Sequence, residues 1–82
     1  MYEISYRKNN LGGYMELSYK RLFKKLIDLD MQHNELMEKA NVSKSTFYKL
    51  KNGENVTTDI LLRICDALDC DISEIMECIK ND

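Results

Sequence analysis

The sequence predicts an all-α fold, a compact bundle of five short helices, and three observations carry that expectation. The 82 residues include no proline and three glycines, a composition that suits helices joined by short turns better than a sandwich of strands. Apolar residues recur at helical spacing in separate short stretches. Ser18, Ser43, Thr57 and Asp71 stand where helix caps are needed. A domain this small buries only about 60% of the surface its unfolded chain exposes, so every element has to contribute to one core.

Residues 1–14, MYEISYRKNNLGGY, carry no helical period and contain Gly12-Gly13. They are expected to form a flexible N-terminal extension to a domain spanning 15–82. A second reading stays open, in which translation starts at Met15. The first helix is expected from about Tyr19 to Leu29, with Ser18 as N-cap and Leu17 stapled to Leu22. Tyr19, Leu22, Phe23, Leu26 and Ile27 would form its buried face, with Lys20, Arg21 and Lys24 turned to solvent.

The second helix is expected from His33 to Ala40, with Leu36, Met37 and Ala40 inward. Asn41 falls where the chain must turn, and asparagine tolerates a left-handed backbone better than most residues with a side chain. Val42 would plug the turn into the core. Ser43 then caps a third helix, Lys44 to about Asn52, with Phe47 and Leu50 inward and Gly53 ending it. Both helices are too short to be stable alone. Thr57 caps a fourth, Thr58 to Leu68, whose stripe is Ile60, Leu61, Ile64, Cys65 and Leu68, leaving Leu62 exposed. A fifth is expected after Asp71, where Asp-Ile-Ser-Glu spells a capping box, with Ile72, Ile75, Met76 and Ile79 inward.

Net charge is −2, but its distribution is uneven. Residues 18–53 hold eight Lys/Arg against four Asp/Glu, and residues 54–82 hold two against eight. A basic half beside an acidic one fits a small nucleic-acid surface with a non-binding flank, or else a chance segregation of solvated charges. Cys65, Cys70 and Cys78 are odd in number and lack a Cys-x-x-Cys pair, so neither a disulfide framework nor a metal site is expected. Reduced, core-filling thiols in a cytoplasmic protein are. No apolar run is long enough to span a membrane. One histidine, no phosphate-binding glycine loop and no clustered carboxylates leave nothing to carry a reaction, so no enzyme, cofactor or small-molecule ligand is expected.

The stretch N-E-L-M-E-K-A-N-V-S-K-S-T-F-Y-K-L-K-N-G, followed by L-L-R-I-C-D-A-L-D-C-D-I-S-E-I, resembles the XRE (Cro/cI phage-repressor-type) helix-turn-helix family. The likeness runs from Leu22 to about Ile79 and is closest to small stand-alone regulators. It implies a lambda-repressor-like five-helix bundle that binds double-stranded DNA as a homodimer. Matched by position, it implies base reading in the major groove by Ser43, Lys44, Ser45 and Lys49. It also implies backbone contacts by His33, Lys51 and Asn52, to which Tyr48 adds a phenol on the same side. The chemistry agrees, since lysine donates to guanine O6 and N7 and a serine hydroxyl serves either strand. Three residues depart from the pattern: Gln32 replaces a Ser/Thr cap, Asn41 a turn glycine, and Met37 an alanine at the helix contact. The bland counterpart is a soluble lysine-rich surface. The rival function is an antitoxin-like or other protein-interaction module of the same fold, with the acidic half as its partner surface.

Overall fold

The computed structural model describes residues 7–8 and 14–81, with side chains from 15 to 80. Among them are three strands, β1 (Arg7–Lys8), β2 (Tyr14–Ser18) and β3 (Glu77–Asn81), and four α-helices. The helices are α1 (Lys20–Asp28), α2 (His33–Ala40), α3 (Lys44–Lys51) and α4 (Thr58–Leu68), and a 3-10 turn at Ile72–Glu74 precedes β3. The strands form one antiparallel sheet in the order β1-β2-β3, with Met15 opposite Arg7 and Leu17 opposite Cys78.

One core serves every helix. Leu22 and Leu26 of α1, Leu36 of α2, Leu50 of α3, Ile64 of α4 and Ile75 after the 3-10 turn are all fully buried. Tyr19, Ala40, Val42, Phe47, Leu61 and Leu68 complete it. Two of the helices have eight residues each, too few to hold shape in water, so this shared burial is what keeps them helical. Helix α2 packs on α4, and both α1 and α4 pack on the 3-10 turn.

All four helices end in the same corner. A residue in the left-handed region follows each one: Asp30 (φ 54°), Asn41 (φ 55°), Gly53 (φ 72°) and Asp69 (φ 52°). In each corner the next N–H reaches back five residues, as from Val42 to the Met37 carbonyl at 2.8 Å and from Met31 to Leu26 at 2.8 Å. This Schellman arrangement satisfies carbonyls a helix end otherwise leaves open and turns the chain sharply without proline. Three of the four corners are Asp or Asn, whose short side chains tolerate the left-handed region. The corner at Asn41 is also held from outside, since Arg63 Nη1 donates to its carbonyl at 2.7 Å. Arg63 Nε lies 3.1 Å from Asp59 Oδ2 as an ion pair, without the alignment of a hydrogen bond.

The all-α, five-helix expectation is corrected at both ends. Where a fifth helix was expected, the Asp71–Glu74 capping box forms, but the helix stops after Ile72–Glu74 and the chain becomes strand β3. Ile72, Ile75, Met76 and Ile79 fit a helical period, yet only Ile75 is fully buried, and Ile72 and Ile79 are 43% and 37% exposed. Pairing with β2 satisfies the backbone instead. Ser18 is not the cap of α1; it is the buried last residue of β2, and Tyr19 takes the cap position. Ile27 is 78% exposed rather than core. At 100° per residue it lies roughly 120° from the centre of the Leu22–Leu26 face, and α1 ends one residue later. The expected flexible extension falls mostly outside the described residues; within it, Arg7–Lys8 and Tyr14 lie in the sheet.

Basic residues of α1 are tied to the acidic C-terminal segment. Arg21 donates to the Ser73 carbonyl at 2.8 Å and pairs with Glu77 at 3.0 Å, and Lys25 Nζ meets Glu74 Oε1 at 2.9 Å. The hydrogen bond from Lys25 holds the Glu74 carboxyl below the usual carboxylate range and, in turn, holds the Lys25 ammonium above its ordinary value. Hydrogen bonds from Ser73 do the same to Asp71.

Two predictions arise here. Carboxyls depressed in the fold stabilise it above their unfolded-state values, and this contribution is lost as pH falls through the folded-state values. Melting temperature should therefore drop between about pH 5 and 3, and Glu74→Gln should flatten that drop in thermal circular dichroism. Asn41→Val, which puts a β-branched residue in the left-handed corner, should cost about 1–2 kcal/mol in urea denaturation, whereas Asn41→Gly should be neutral or stabilising.

Candidate nucleic-acid interface

Helix α3 presents an uninterrupted polar arc opposite its buried side. Phe47 and Leu50 point inward, and Thr46 is half-buried between them and the surface. The residues left outside fall into two stripes at helical spacing: Lys44, Tyr48 and Lys51, and beside it Ser45, Lys49 and Asn52, all exposed. Thus the four expected base readers divide, Ser43 and Lys44 at the helix start, Ser45 and Lys49 along the second stripe.

The start of α3 is a hydroxyl cluster. Ser43 is extended (φ −70°, ψ 159°), and its Oγ accepts from the Thr46 N–H at 3.2 Å. The same Oγ donates to Thr46 Oγ1 at 3.0 Å and lies 3.2 Å from Ser45 Oγ. Ser43 therefore has a structural task, and Ser45 is oriented by it. The sequence reading passed over Thr46, although its position three residues after the cap is where cap partners sit.

His33, the first residue of α2, is exposed, yet its ring is not free. It lies 4.9 Å from the Phe47 ring and 5.7 Å from that of Phe23, which itself meets Phe47 edge-on at 5.7 Å. Three rings from α1, α2 and α3 thus fix the start of α2 against the middle of α3. The helix begins more firmly than its glutamine cap promises, because the Gln32 N–H donates to Glu35 Oε1 at 3.0 Å in a capping box. That start presents open N–H groups and a positive helix end, a setting that suits a phosphate.

At the other end of α3, Lys51 Nζ sits 5.7 Å from the centre of the Tyr48 ring, a cation–π arrangement that holds both side chains over the surface. Asn52 Nδ2 donates to Glu54 Oε2 at 3.4 Å, a long contact that a phosphate oxygen can replace. The Tyr19 hydroxyl donates to the Glu54 carbonyl at 3.1 Å, anchoring the loop after α3, and burial pushes this phenol above its ordinary value. Lys49 borders a shallow hollow with Thr46, Asn55, Val56, Thr57 and Ile60.

A model of the Cro/C1-type helix-turn-helix DNA-binding domain matches residues 21–81. The chain belongs to that family. Within it, the α2–Asn41–α3 unit is the helix-turn-helix, built here with asparagine in the corner and a half-buried Met37. This Cro/C1-type chain is also similar to a solved structure, the transcriptional regulator VanUg in its crystal form II. The two are 49% identical with a TM-score of 0.77, over 89% of this chain and 97% of that one. Among curated proteins, none matches. No helix among the described residues is long and apolar enough to cross a membrane, and no cluster of His, Cys, Asp or Glu among them could hold a metal ion. Cys65, Cys70 and Cys78 are free thiols, and burial pushes those of Cys65 and Cys70 up.

Because Ser43 is both cap and surface residue, its two tasks separate by substitution. Ser43→Ala should lower stability by about 1 kcal/mol in thermal or urea denaturation, and Ser43→Asp, which caps equally well, should restore it.

Proposed function

We propose that this protein is a sequence-specific DNA-binding transcriptional regulator whose α3 enters the major groove. The observation that carries the proposal is the exposed polar arc of α3, held opposite buried Phe47 and Leu50 within a Cro/C1-type helix-turn-helix. In this reading Ser43, Lys44, Ser45 and Lys49 meet base edges, while His33, Tyr48, Lys51 and Asn52 hold the sugar-phosphate backbone on either side. The likeness to VanUg, named a transcriptional regulator, supports the regulatory role. In this reading the protein acts in the cytoplasm, without enzymatic activity, through the unit of residues 15–82, whose sheet Arg7–Lys8 and Tyr14 complete.

One such unit covers little DNA, so useful specificity requires a homodimer on a two-fold operator with half-sites about 34 Å apart. The rival reading, a protein-interaction module using the acidic half, is disfavoured because Glu74 and Glu77 are already paired with Lys25 and Arg21.

Footprinting on DNA upstream of the gene is the direct test, and absence of any protected segment would refute the proposal. On a footprinted site, Lys44→Ala and Lys49→Ala should each cost about 1–3 kcal/mol and relax preference at one position, while changing affinity for random DNA much less. His33→Ala should instead weaken all sequences alike, as loss of a phosphate contact does. Affinity should also fall steeply with rising salt, measured by fluorescence anisotropy, because bound phosphates release counterions.

A further inference from the structure

Each left-handed corner sets two residues beside one another, because the residue after the corner donates its N–H to the carbonyl five residues back. Side chains at these two positions ordinarily meet in an apolar contact. The corners after α1 and α2 follow that rule with Leu26 and Met31, and with Met37 and Val42, while the corner after α3 has Lys49 and Glu54. At the end of α4 the two positions are Cys65 and Cys70. Asp69 (φ 52°) is the corner residue there, and the Cys70 N–H donates to the Cys65 carbonyl at 3.0 Å. The two thiols are hydrogen-bonded to each other. Both residues are half-buried, within reach of a small reagent.

We propose that Cys65 and Cys70 are an oxidisable dithiol site, closing to an intramolecular disulfide across the corner of α4 with a low-molecular-weight disulfide such as oxidised glutathione as oxidant. The 3.0 Å hydrogen bond and ordinary bond lengths keep the two Cα atoms within about 7 Å, the limit beyond which a bridge requires backbone movement. Contact between the thiols means that the side chains point toward each other. In the first step the thiolate of one cysteine attacks a glutathione sulfur, and one glutathione thiolate leaves. The thiolate of the other cysteine then attacks the protein sulfur of the mixed disulfide, and the second glutathione leaves. The protein loses two electrons and two protons, and the glutathione disulfide becomes two thiols.

The corner runs directly into the Asp71–Glu74 capping box and then into β3. A bond across it therefore ties α4 to the segment that Arg21 and Lys25 hold against α1. Ser43, Lys44, Ser45 and Lys49 lie on or beside α3, so the closed form differs in stability and the site goes beyond the DNA-binding reading without resting on it. Burial holds both thiols above their ordinary value; Asp71 and Glu74 add to this at Cys65 and Glu74 at Cys70, where Lys25 opposes it. Because the thiolate is the attacking species, closure is slow near neutral pH and quickens as pH rises.

The test uses the full chain carrying Cys78→Ser, which leaves this pair as its only cysteines. Kept folded with oxidised glutathione at about pH 8, it should lose two hydrogens by intact mass spectrometry and stop taking up iodoacetamide at both positions. Its melting temperature should rise by about 5–10 °C, the expectation for a short closed loop in a domain of this size, and dithiothreitol should reverse all three changes. With Cys65→Ser or Cys70→Ser added, the reaction can proceed no further than a mixed disulfide, and the rise in melting temperature should be absent. Two thiols still open to alkylation, a chain carrying two glutathiones, or disulfide-linked dimers would each overturn the proposal. So would a closed form that melts no higher than the reduced one. None of these measurements involves DNA, so failure of the DNA-binding reading leaves the outcome interpretable.

Discussion

The structure depends on burial shared among elements that cannot stand alone. Helices α2 and α3 have eight residues each, and what fixes their angle is the contact of Leu36, Ala40, Val42, Phe47 and Leu50 with α1 and α4. Leu22, Leu26 and Ile64 close that core from behind. The aromatic triad extends it to the surface: Phe47 is buried, Phe23 half-buried and His33 exposed, so one contiguous group of rings connects the interior to the start of α2. The orientation of the polar arc is thus a property of the whole domain.

Two structural devices keep so small a core sufficient. The repeated left-handed corner lets each helix satisfy its last carbonyls and turn at once, so few residues are spent on loops. Ion pairs between α1 and the C-terminal segment then join surfaces the core does not reach. These pairs are exposed and modest in energy. Their larger effect is on charge, because Arg21 and Lys25 are engaged internally. The positive potential available to a polyanion is narrower than the excess of basic residues in 18–53 implies, since it falls to Lys20, Lys24 and Lys39 and to the α3 lysines Lys44, Lys49 and Lys51.

Where local signals are strong, the sequence was a good guide. Ser43 and Thr57 cap the helices expected of them, Asn41 takes the left-handed corner, and Leu62 is exposed. These features depend on a few neighbouring residues. The candidate interface was legible for the same reason, since the positions of Phe47 and Leu50 determine which neighbours face out. What was not legible depends on distant partners. The stretch Ile72–Ile79 has a helical period and a formed capping box, yet it continues as a strand because Tyr14–Ser18, a segment without a strong pattern, lies beside it. The ring contact of His33 and the pairing of Arg21 with Ser73 and Glu77 are likewise products of folding that no local spacing announces.

The β2–β3 ladder joins residues that are far apart along the chain, with Leu17 opposite Cys78 and the whole helical bundle between them. Closing a loop of roughly 60 residues carries an entropy that the short corners between helices avoid. Folding kinetics should reflect this order: the helices, whose contacts are local, collapse first, and the sheet closes on a bundle already formed. In the native protein the ladder is then the natural place for sub-global opening, with amide hydrogens of β3 exchanging before those of α4. A structural unit for reading a polymer would thus be assembled before the strand that completes the domain, and would survive its transient release.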